Sequence, residues 1–190
     1  MDVIQYEELI RQRLSQKRFA HSMNVAVESR RLAQRCGADP EKAYLAGVLH
    51  DVMKEAPPEE QLKIMEGSGI MLTDVEKGAQ KLWHAMAGAV YLQKVLGITD
   101  PEVIHAVRYH TTGRENMSLL EQVVFVADFI SAEREYDGVE EMRAAAQNGL
   151  EEAVLAGLVF TIQDLSQQGK PIHPDSLAAY NTMILARHGE

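Results

Sequence analysis

The chain has 190 residues, of which 46% are apolar and 25% are charged, and its formal net charge is −9. These values fit one globular domain and exclude a disordered or fibrous chain. The negative charge argues against binding to nucleic acid or to an anionic membrane.

The single cysteine, Cys36, rules out a disulfide within the chain and fits a reducing compartment. The first residues mix charged and apolar side chains, unlike a signal peptide. No apolar run approaches the ~20 residues that a membrane helix needs. We therefore expect a cytoplasmic protein with no membrane or nucleic-acid partner.

Apolar residues recur three and four positions apart through most of the chain, which is the period of a helix, and no segment alternates like a strand. We predict an all-α helical bundle forming one domain, 1–190, with a metal-binding core at about 17–134 and C-terminal helices at about 139–188. The individual helices are predicted at about 3–15, 18–36, 40–54, 58–67, 73–78, 80–96, 100–110, 117–134, 148–168 and 175–187.

Glycine and aspartate mark several helix ends. Gly37 is predicted to end one helix, and Asp39 caps the next, with Pro40 in its first turn. Gly97 and Asp100 repeat the arrangement. On the helix at about 148–168, the apolar stripe predicts either core packing or the face of a homodimer, and it comprises Leu150, Val154, Leu158, Ile162 and Leu165.

Titratable side chains interrupt several apolar helix faces. The pair His50-Asp51 lies inside AYLAGVLHDVMK, and Asp128 lies inside LEQVVFVADFI. A buried carboxylate without a partner is costly, so each of these acids needs a compensating group. Three more histidines, His21, His84 and His110, lie on or at the end of similar apolar helices. Together the imidazoles and carboxylates predict divalent-metal coordination inside a helical bundle.

The order of these residues resembles a known family. His21, then His50-Asp51, then Asp128 is similar to the H…HD…D signature of the HD superfamily of metal-dependent phosphohydrolases. The segments RFAHSMNVAV, YLAGVLHDVMKE, LWHAMAGAV, RYHTTGRENMSLLEQVVFVADFISAER, DGVEEMR and GKPIHPDSLAAYN together resemble its YqeK-type members, the symmetrical diadenosine tetraphosphate (Ap4A) hydrolases. The similarity covers about residues 17–185.

The resemblance implies an HD-domain helical bundle that binds two divalent or mixed-valence metal ions and cleaves diadenosine tetraphosphate, a dinucleoside polyphosphate, into two ADP. Iron is the favoured metal, with manganese or another transition metal as alternatives. His21, His50, Asp51 and Asp128 would hold one ion, and His84, His110 and the bridging Asp51 would hold the other. Two cations ~3.5–4 Å apart would acidify a shared water, giving a hydroxide for attack on phosphorus.

Other side chains are candidates for substrate contacts. Lys54 lies four residues after His50, and Arg18 lies three before His21, so helical spacing places both beside the ligands. We expect both cations to contact phosphate or the leaving ADP, and to assist catalysis together with Asp51.

Thr111, Thr112 and Gly113, which directly follow His110, either contact phosphate or form a helix C-cap. Arg134 matches a family position for a phosphate-binding arginine, although Ser131-Ala132-Glu133 replaces the Glu-Pro-Gly expected before it. The charged run from Glu133 to Glu141 is predicted to be solvated surface.

Three alternatives stay open at this point. The same centre suits an HD-domain nucleotidase or another nucleotide pyrophosphohydrolase. A non-catalytic HD-like signalling module is a second alternative, although loss of catalysis would be expected to delete ligands. In a purely structural helical protein, the same groups would form buried hydrogen-bond networks and bind no metal.

Overall fold

Residues 3–188 are described by a computed structural model, and within them the chain forms eleven α-helices and no strand. The helices are α1 Val3–Arg13, α2 Gln16–Cys36, α3 Pro40–Leu49, α4 Pro58–Glu66, α5 Asp74–Gly78, α6 Trp83–Lys94, α7 Pro101–Tyr109, α8 Leu119–Ile130, α9 Val139–Asn148, α10 Leu150–Gln167 and α11 Pro174–His188. A single 3-10 turn, Gln80–Leu82, leads into α6. The predicted all-α class is confirmed.

The helix ends follow the predicted capping residues. Gly37 ends α2 in the left-handed region, with φ 84°. The Asp39 side chain accepts hydrogen bonds from the backbone N–H groups of Glu41 and Lys42 at the start of α3. Asp100 caps α7 in the same way. Local sequence therefore fixes the end of α2 and the starts of α3 and α7.

Helices α2 and α3 pack closely because a glycine lies at their contact. A Cβ atom on Gly47 would lie 2.6 Å from the Cα of Ala26, so only a residue without a side chain lets the two backbones approach this far. His21 on α2 and His50 at the end of α3 are brought together by this contact.

Helices α6 and α8 form the interior of the bundle. Every residue from Trp83 to Leu92 of α6 is buried. Eight residues of α8 are also buried. Val154 and Leu158 of α10 pack in the same core, as predicted for the stripe, while Leu150, Ile162 and Leu165 are half-buried. No helix within residues 3–188 is long and apolar enough to cross a membrane.

Two predicted helix ends differ clearly from the structure, and one helix was not predicted. Helix α3 ends at Leu49, and the next residues form tight turns, in which the N–H of Lys54 donates to the carbonyl of Asp51 at 2.8 Å. Helix α8 ends at Ile130, because Ser131 adopts an extended conformation. Helix α9 was absent from the predicted segments, since its ten residues present only Val139, Met142 and Ala146 to the core.

Candidate metal centre

Side chains from five helices converge at one place in the interior. His21 lies on α2, His50-Asp51 follows α3, and His84 lies in the first turn of α6. His110 follows α7, and Asp128 lies on α8. All of these residues are buried except Asp128, whose side chain is 21% exposed. We call these six residues the His/Asp cluster.

Asp51 lies between two groups of imidazoles. Its Oδ2 is 3.8 Å from Nε2 of His21 and 3.5 Å from Nε2 of His50. Its Oδ1 is 3.2 Å from Nε2 of His84 and 3.7 Å from Nε2 of His110. Asp128 joins the first group, with its Oδ1 3.1 Å from Nε2 of His21. The cluster therefore has two halves that share the Asp51 carboxylate.

Three imidazoles are oriented by the backbone of their own helix ends. Nδ1 of His50 donates to the carbonyl of Gly47, Nδ1 of His84 to that of Lys81, and Nδ1 of His110 to that of Val107, each at 2.7 Å. Because a neutral imidazole with its hydrogen on Nδ1 has a lone pair on Nε2, all three Nε2 atoms face the cluster as electron-pair donors.

His21 is oriented by a carboxylate instead. Its Nδ1 contacts Oε1 of Glu133, whose Oε2 accepts a hydrogen bond from the Asn24 side chain at 2.7 Å. Ser131 donates to the same carboxylate at 2.8 Å. Hydrogen bonds from these groups lower the pKa of Glu133, although burial opposes them. Glu133 is exposed, as predicted for the run that begins with it, but its carboxylate also contacts the buried His21 imidazole, which the sequence analysis did not predict. The adjacency of Glu133 to the apolar helix α8 is the only sequence signal for this contact.

The cluster brings electron pairs face to face. Burial lowers the pKa of His84 to about 4, so this imidazole is neutral at pH 7. Its Nε2 then faces Oδ1 of Asp51 at 3.2 Å and Nε2 of His110 at 3.2 Å. Oδ1 of Asp51 is buried and has no hydrogen-bond partner among the described residues. A cation placed among these atoms would accept an electron pair from each of them, so the donor set fits a metal.

Both carboxylates stay ionised in this environment. Burial alone raises the pKa of Asp51, but the surrounding imidazoles, led by His50, hold it well below its usual range. Burial likewise raises the pKa of Asp128, and the hydrogen bond from His21 and the charge of Arg134 outweigh it. Two carboxylates within one buried cluster therefore supply negative charge that favours cations.

The predicted cations lie around the cluster. Arg18 donates to Oδ2 of Asp51 at 2.9 Å, and Nζ of Lys54 lies 3.2 Å from Nε2 of His84 and 3.8 Å from Oδ1 of Asp51. Arg134 bonds to the carboxylate of Asp128 and, at 2.6 Å, to its backbone carbonyl. The structure thus places Arg134 beside a proposed metal ligand, where it orients Asp128.

The residues after His110 end the helix and line a cavity. Gly113 has φ 63°, and its N–H donates to the carbonyl of Tyr109 at 2.8 Å. Thr112 is buried and bonds to the carbonyl of Gly113 at 2.9 Å. These bonds form a helix C-cap. Thr111 and Thr112 both line a cavity beside the cluster, and a phosphate contact by Thr111, Thr112 or Gly113 stays a prediction.

Comparison with known proteins identifies a family whose match spans this cluster. The sequence matches the family described as HD domain over residues 18–133, a range that contains the whole cluster and ends at Glu133.

The chain belongs to the HD-domain family.

Named relatives of this HD-domain chain cover almost its full length. A protein of Halalkalibacterium halodurans named symmetrical bis(5′-nucleosyl)-tetraphosphatase is 38% identical over 94% of this chain and 95% of its own. One of the same name from Bacillus subtilis is 35% identical over 92% and 94%. A crystal structure from Clostridium acetobutylicum, described as a predicted HD superfamily hydrolase involved in NAD metabolism, has a TM-score of 0.94, 36% identity and 98% coverage of both chains. The resemblance predicted from the sequence is confirmed.

The chain continues beyond the matched HD domain, and its last helix contacts the cluster's surroundings. Ser176 on α11 donates to the carbonyl of Thr112 at 2.7 Å, two residues from His110. His173, just before α11, is buried 3.4 Å from the carboxylate of Glu76. These contacts hold the C-terminal helix against α5 and against the segment that follows His110.

Proposed function

We propose that this chain is a metal-dependent hydrolase that converts diadenosine tetraphosphate and water into two ADP. The observation that carries this proposal is the convergence of six side chains into two half-clusters that share Asp51. Relatives named symmetrical bis(5′-nucleosyl)-tetraphosphatase, aligned over more than nine-tenths of the chain, support the substrate.

Two metal ions are proposed, one for each half-cluster. His21, His50, Asp128 and Oδ2 of Asp51 would hold one, and His84, His110 and Oδ1 of Asp51 would hold the other. When bound, two such cations acidify a shared water and neutralise phosphoryl oxygens. We take iron as the first candidate on the sequence resemblance, and manganese or another transition metal as the alternative, because imidazole and carboxylate donors accept all of these.

The chain's own cations are proposed to act on the substrate. Hydrolysis adds water to one central phosphorus and breaks its bond to the bridging oxygen, which leaves with ADP. Lys54 and Arg18 contact the outer edge of Asp51, with side chains about one-third exposed. Both can therefore turn toward phosphate oxygens and stabilise the charge that develops on the departing ADP.

The test is anaerobic purification with elemental analysis, followed by a turnover assay that resolves ADP from ATP and AMP. We expect up to two transition-metal ions per chain and ADP as the only nucleotide product. ATP plus AMP as products would overturn the proposed cleavage at the centre of the phosphate chain. Stoichiometric metal without turnover would overturn the proposal that diadenosine tetraphosphate is the substrate. Asp51→Asn should lose metal and turnover. Asp74→Asn is its matched control and should keep both, since the Asp74 side chain is 98% exposed.

A second substrate is favoured by one specific observation. The Clostridium acetobutylicum relative is described as involved in NAD metabolism, which suits another nucleotide pyrophosphate on the same centre. Turnover of NAD with little turnover of diadenosine tetraphosphate would favour this candidate. A cytoplasmic location and a homodimer remain predictions from the sequence.

A further inference from the structure

Two cavities adjoin the His/Asp cluster. The larger, of about 600 Å³, is lined by residues that include Lys81, Leu82, Thr111 and Leu165, and we call it the Thr111 cavity. The smaller, of about 310 Å³, is lined by Asp128, Phe129, Arg134, Tyr136, Phe160 and Asp164, and we call it the Tyr136 cavity. Both volumes lie in the range of small-molecule sites.

Each cavity adjoins a different half of the cluster. The Thr111 cavity includes Lys81, whose carbonyl holds His84, and Thr111, which follows His110. The Tyr136 cavity includes Asp128 itself and Arg134, which belong to the half built on His21 and His50. The shared Asp51 therefore lies between the two sides.

Helix α10 forms a wall of both cavities. Phe160 and Asp164 are four residues apart and face the Tyr136 cavity, whereas Thr161 and Leu165 face the Thr111 cavity. These pairs lie on neighbouring stripes of one helix, since consecutive residues are ~100° apart. Asp164 lines both cavities, so they meet at this residue.

The lining of the Tyr136 cavity suits a flat heterocyclic base. The Phe160 ring lies 5.1 Å from the Tyr136 ring and 6.2 Å from the Phe129 ring, centroid to centroid. All three rings are half-buried, so part of each is open to the cavity. Aromatic rings of this kind bind bases by stacking, and Arg134 lines the same cavity beside Asp128.

The lining of the Thr111 cavity combines apolar and polar groups. Leu82, Leu165 and Pro171 provide apolar surface, and Gln168 and Lys170 provide polar groups at the same cavity. Oγ of Thr111 is buried without a hydrogen-bond partner among the described residues. A nucleoside matches this lining, because its base is flat and largely apolar on its faces while its ribose carries hydroxyls.

We propose that each cavity binds one nucleoside of a dinucleoside polyphosphate, with the His/Asp cluster beneath the middle of the phosphate chain. This inference rests on the proposed function and deepens it. Two nucleoside sites, each beside a different half of the cluster, place the central bridging oxygen near the Asp51 carboxylate that the halves share. Cleavage at the centre then follows from binding geometry, and each product ADP remains in its own cavity.

Calorimetric titration of the metal-loaded protein with ADP tests the proposal without measuring hydrolysis. We expect two ADP bound per chain, and one in either Leu165→Ala or Tyr136→Ala, with intact ADP checked by chromatography. Gln163→Ala, on α10 but exposed and outside both cavities, should still bind two. One ADP per chain in the unaltered protein would overturn the proposal, whether or not diadenosine tetraphosphate is a substrate.

Substrates with one and two nucleosides give an independent test. Diadenosine tetraphosphate needs both cavities, so either single variant should lower its kcat/KM about tenfold. Adenosine 5′-tetraphosphate can place its nucleoside in either cavity, so each single variant should lose about twofold or less, and only the double variant should lose more. If one variant alone impairs both substrates equally, there is a single nucleoside site and the proposal fails.

Thermal unfolding of each variant shows whether the substitution has caused a folding defect. If Tyr136→Ala unfolds early, Phe160→Leu replaces it as the variant of that cavity, because it removes the aromatic ring and keeps an apolar side chain. Two bound ADP in folded Phe160→Leu together with unchanged kcat/KM would overturn the assignment of the Tyr136 cavity.

Discussion

Asp51 and Lys54 are close together at the cluster but differ in chemical role. Asp51 offers one oxygen to each half of the cluster, while Lys54 offers a positive charge that cannot bind a cation. Removing Asp51 deprives both proposed ions of a ligand, whereas removing Lys54 leaves every ligand in place.

We expect Asp51→Ala to abolish activity and most metal binding, and Lys54→Ala to lower the rate by about 10- to 1000-fold with metal retained. Elemental analysis of both purified variants, beside steady-state kinetics, measures the two effects separately. Equal metal loss in the two variants would show that Lys54 supports metal binding, and would contradict its proposed contact with the substrate.

Glu133 orients His21 in the way that backbone carbonyls orient the other three histidines. A carboxylate on Nδ1 fixes the ring and makes Nε2 a stronger donor. We expect Glu133→Gln to weaken metal binding by about 10- to 100-fold, because the amide keeps the shape of the side chain and removes its charge.

Competition with a chelating dye measures the metal affinity of this variant directly. Glu135→Gln is the matched control, since Glu135 is exposed two residues further along. Unchanged metal affinity in Glu133→Gln would limit Glu133 to a structural contact with Asn24 and Ser131.

At the scale of elements, the geometry of the cluster depends on how closely α2 and α3 approach. Gly47 lies at this contact and also supplies the carbonyl that orients His50. An added methyl group would meet the backbone of Ala26, which cannot move aside like the end of a flexible side chain.

We therefore expect Gly47→Ala to lower the free energy of unfolding by about 1–3 kcal/mol and to weaken metal binding by separating His21 from His50. Urea unfolding at pH 7 measures the first effect, and elemental analysis measures the second. Gly149→Ala is the control, since a Cβ there meets nothing within 4 Å, and it should change stability by less than about 0.5 kcal/mol. A similar small change in Gly47→Ala would mean that the helices shift without cost.

Some elements were predictable from sequence because the cause is local. Asp39 and Asp100 cap their helices through bonds to residues two or three positions ahead, and α6 and α8 are apolar along their length. Helix α9 was not predictable in this way, since its first turn follows Gly138 at φ 99° and its apolar stripe is narrow. The sequence predicts helix from His50 to Lys54, because helical spacing continues there, whereas the structure forms turns.

At the scale of the whole molecule, the sequence predicted which side chains meet but not what surrounds them. His21 and Asp128 are separated by more than a hundred residues, and the sequence predicts that they meet from shared metal-ligand chemistry and family resemblance, not from local spacing. The contact between Glu133 and His21 depends on where α8 ends. The sequence predicts an end at about 134, four residues after the observed end at Ile130. The single domain over the entire chain stays a prediction. It is supported by the hydrogen bond from Ser176 to the carbonyl of Thr112.

The buried cluster also makes the stability of the whole molecule depend on pH. Burial lowers the pKa of His84 from 6.5 to about 4, so between these values the unfolded chain binds a proton that the folded chain does not. Stability then rises with pH across this window and falls as the pH decreases from 6.5 to 4. The pKa values of Asp51 and Asp128 are also held low, which removes further stability below about pH 4.

We expect the metal-free protein to lose up to about 3 kcal/mol of unfolding free energy through His84 between pH 6.5 and pH 4, since each pKa unit corresponds to about 1.4 kcal/mol. Urea unfolding of chelator-treated protein at several pH values measures the slope. His84→Gln has no imidazole to protonate in the unfolded chain, so its slope should be shallower, whereas His105→Gln, at an exposed position, should keep most of the original slope. Identical slopes in His84→Gln and the unaltered protein would show that His84 is protonated as readily in the folded cluster as in water, and the electron-pair argument for a cation at that position would then fail.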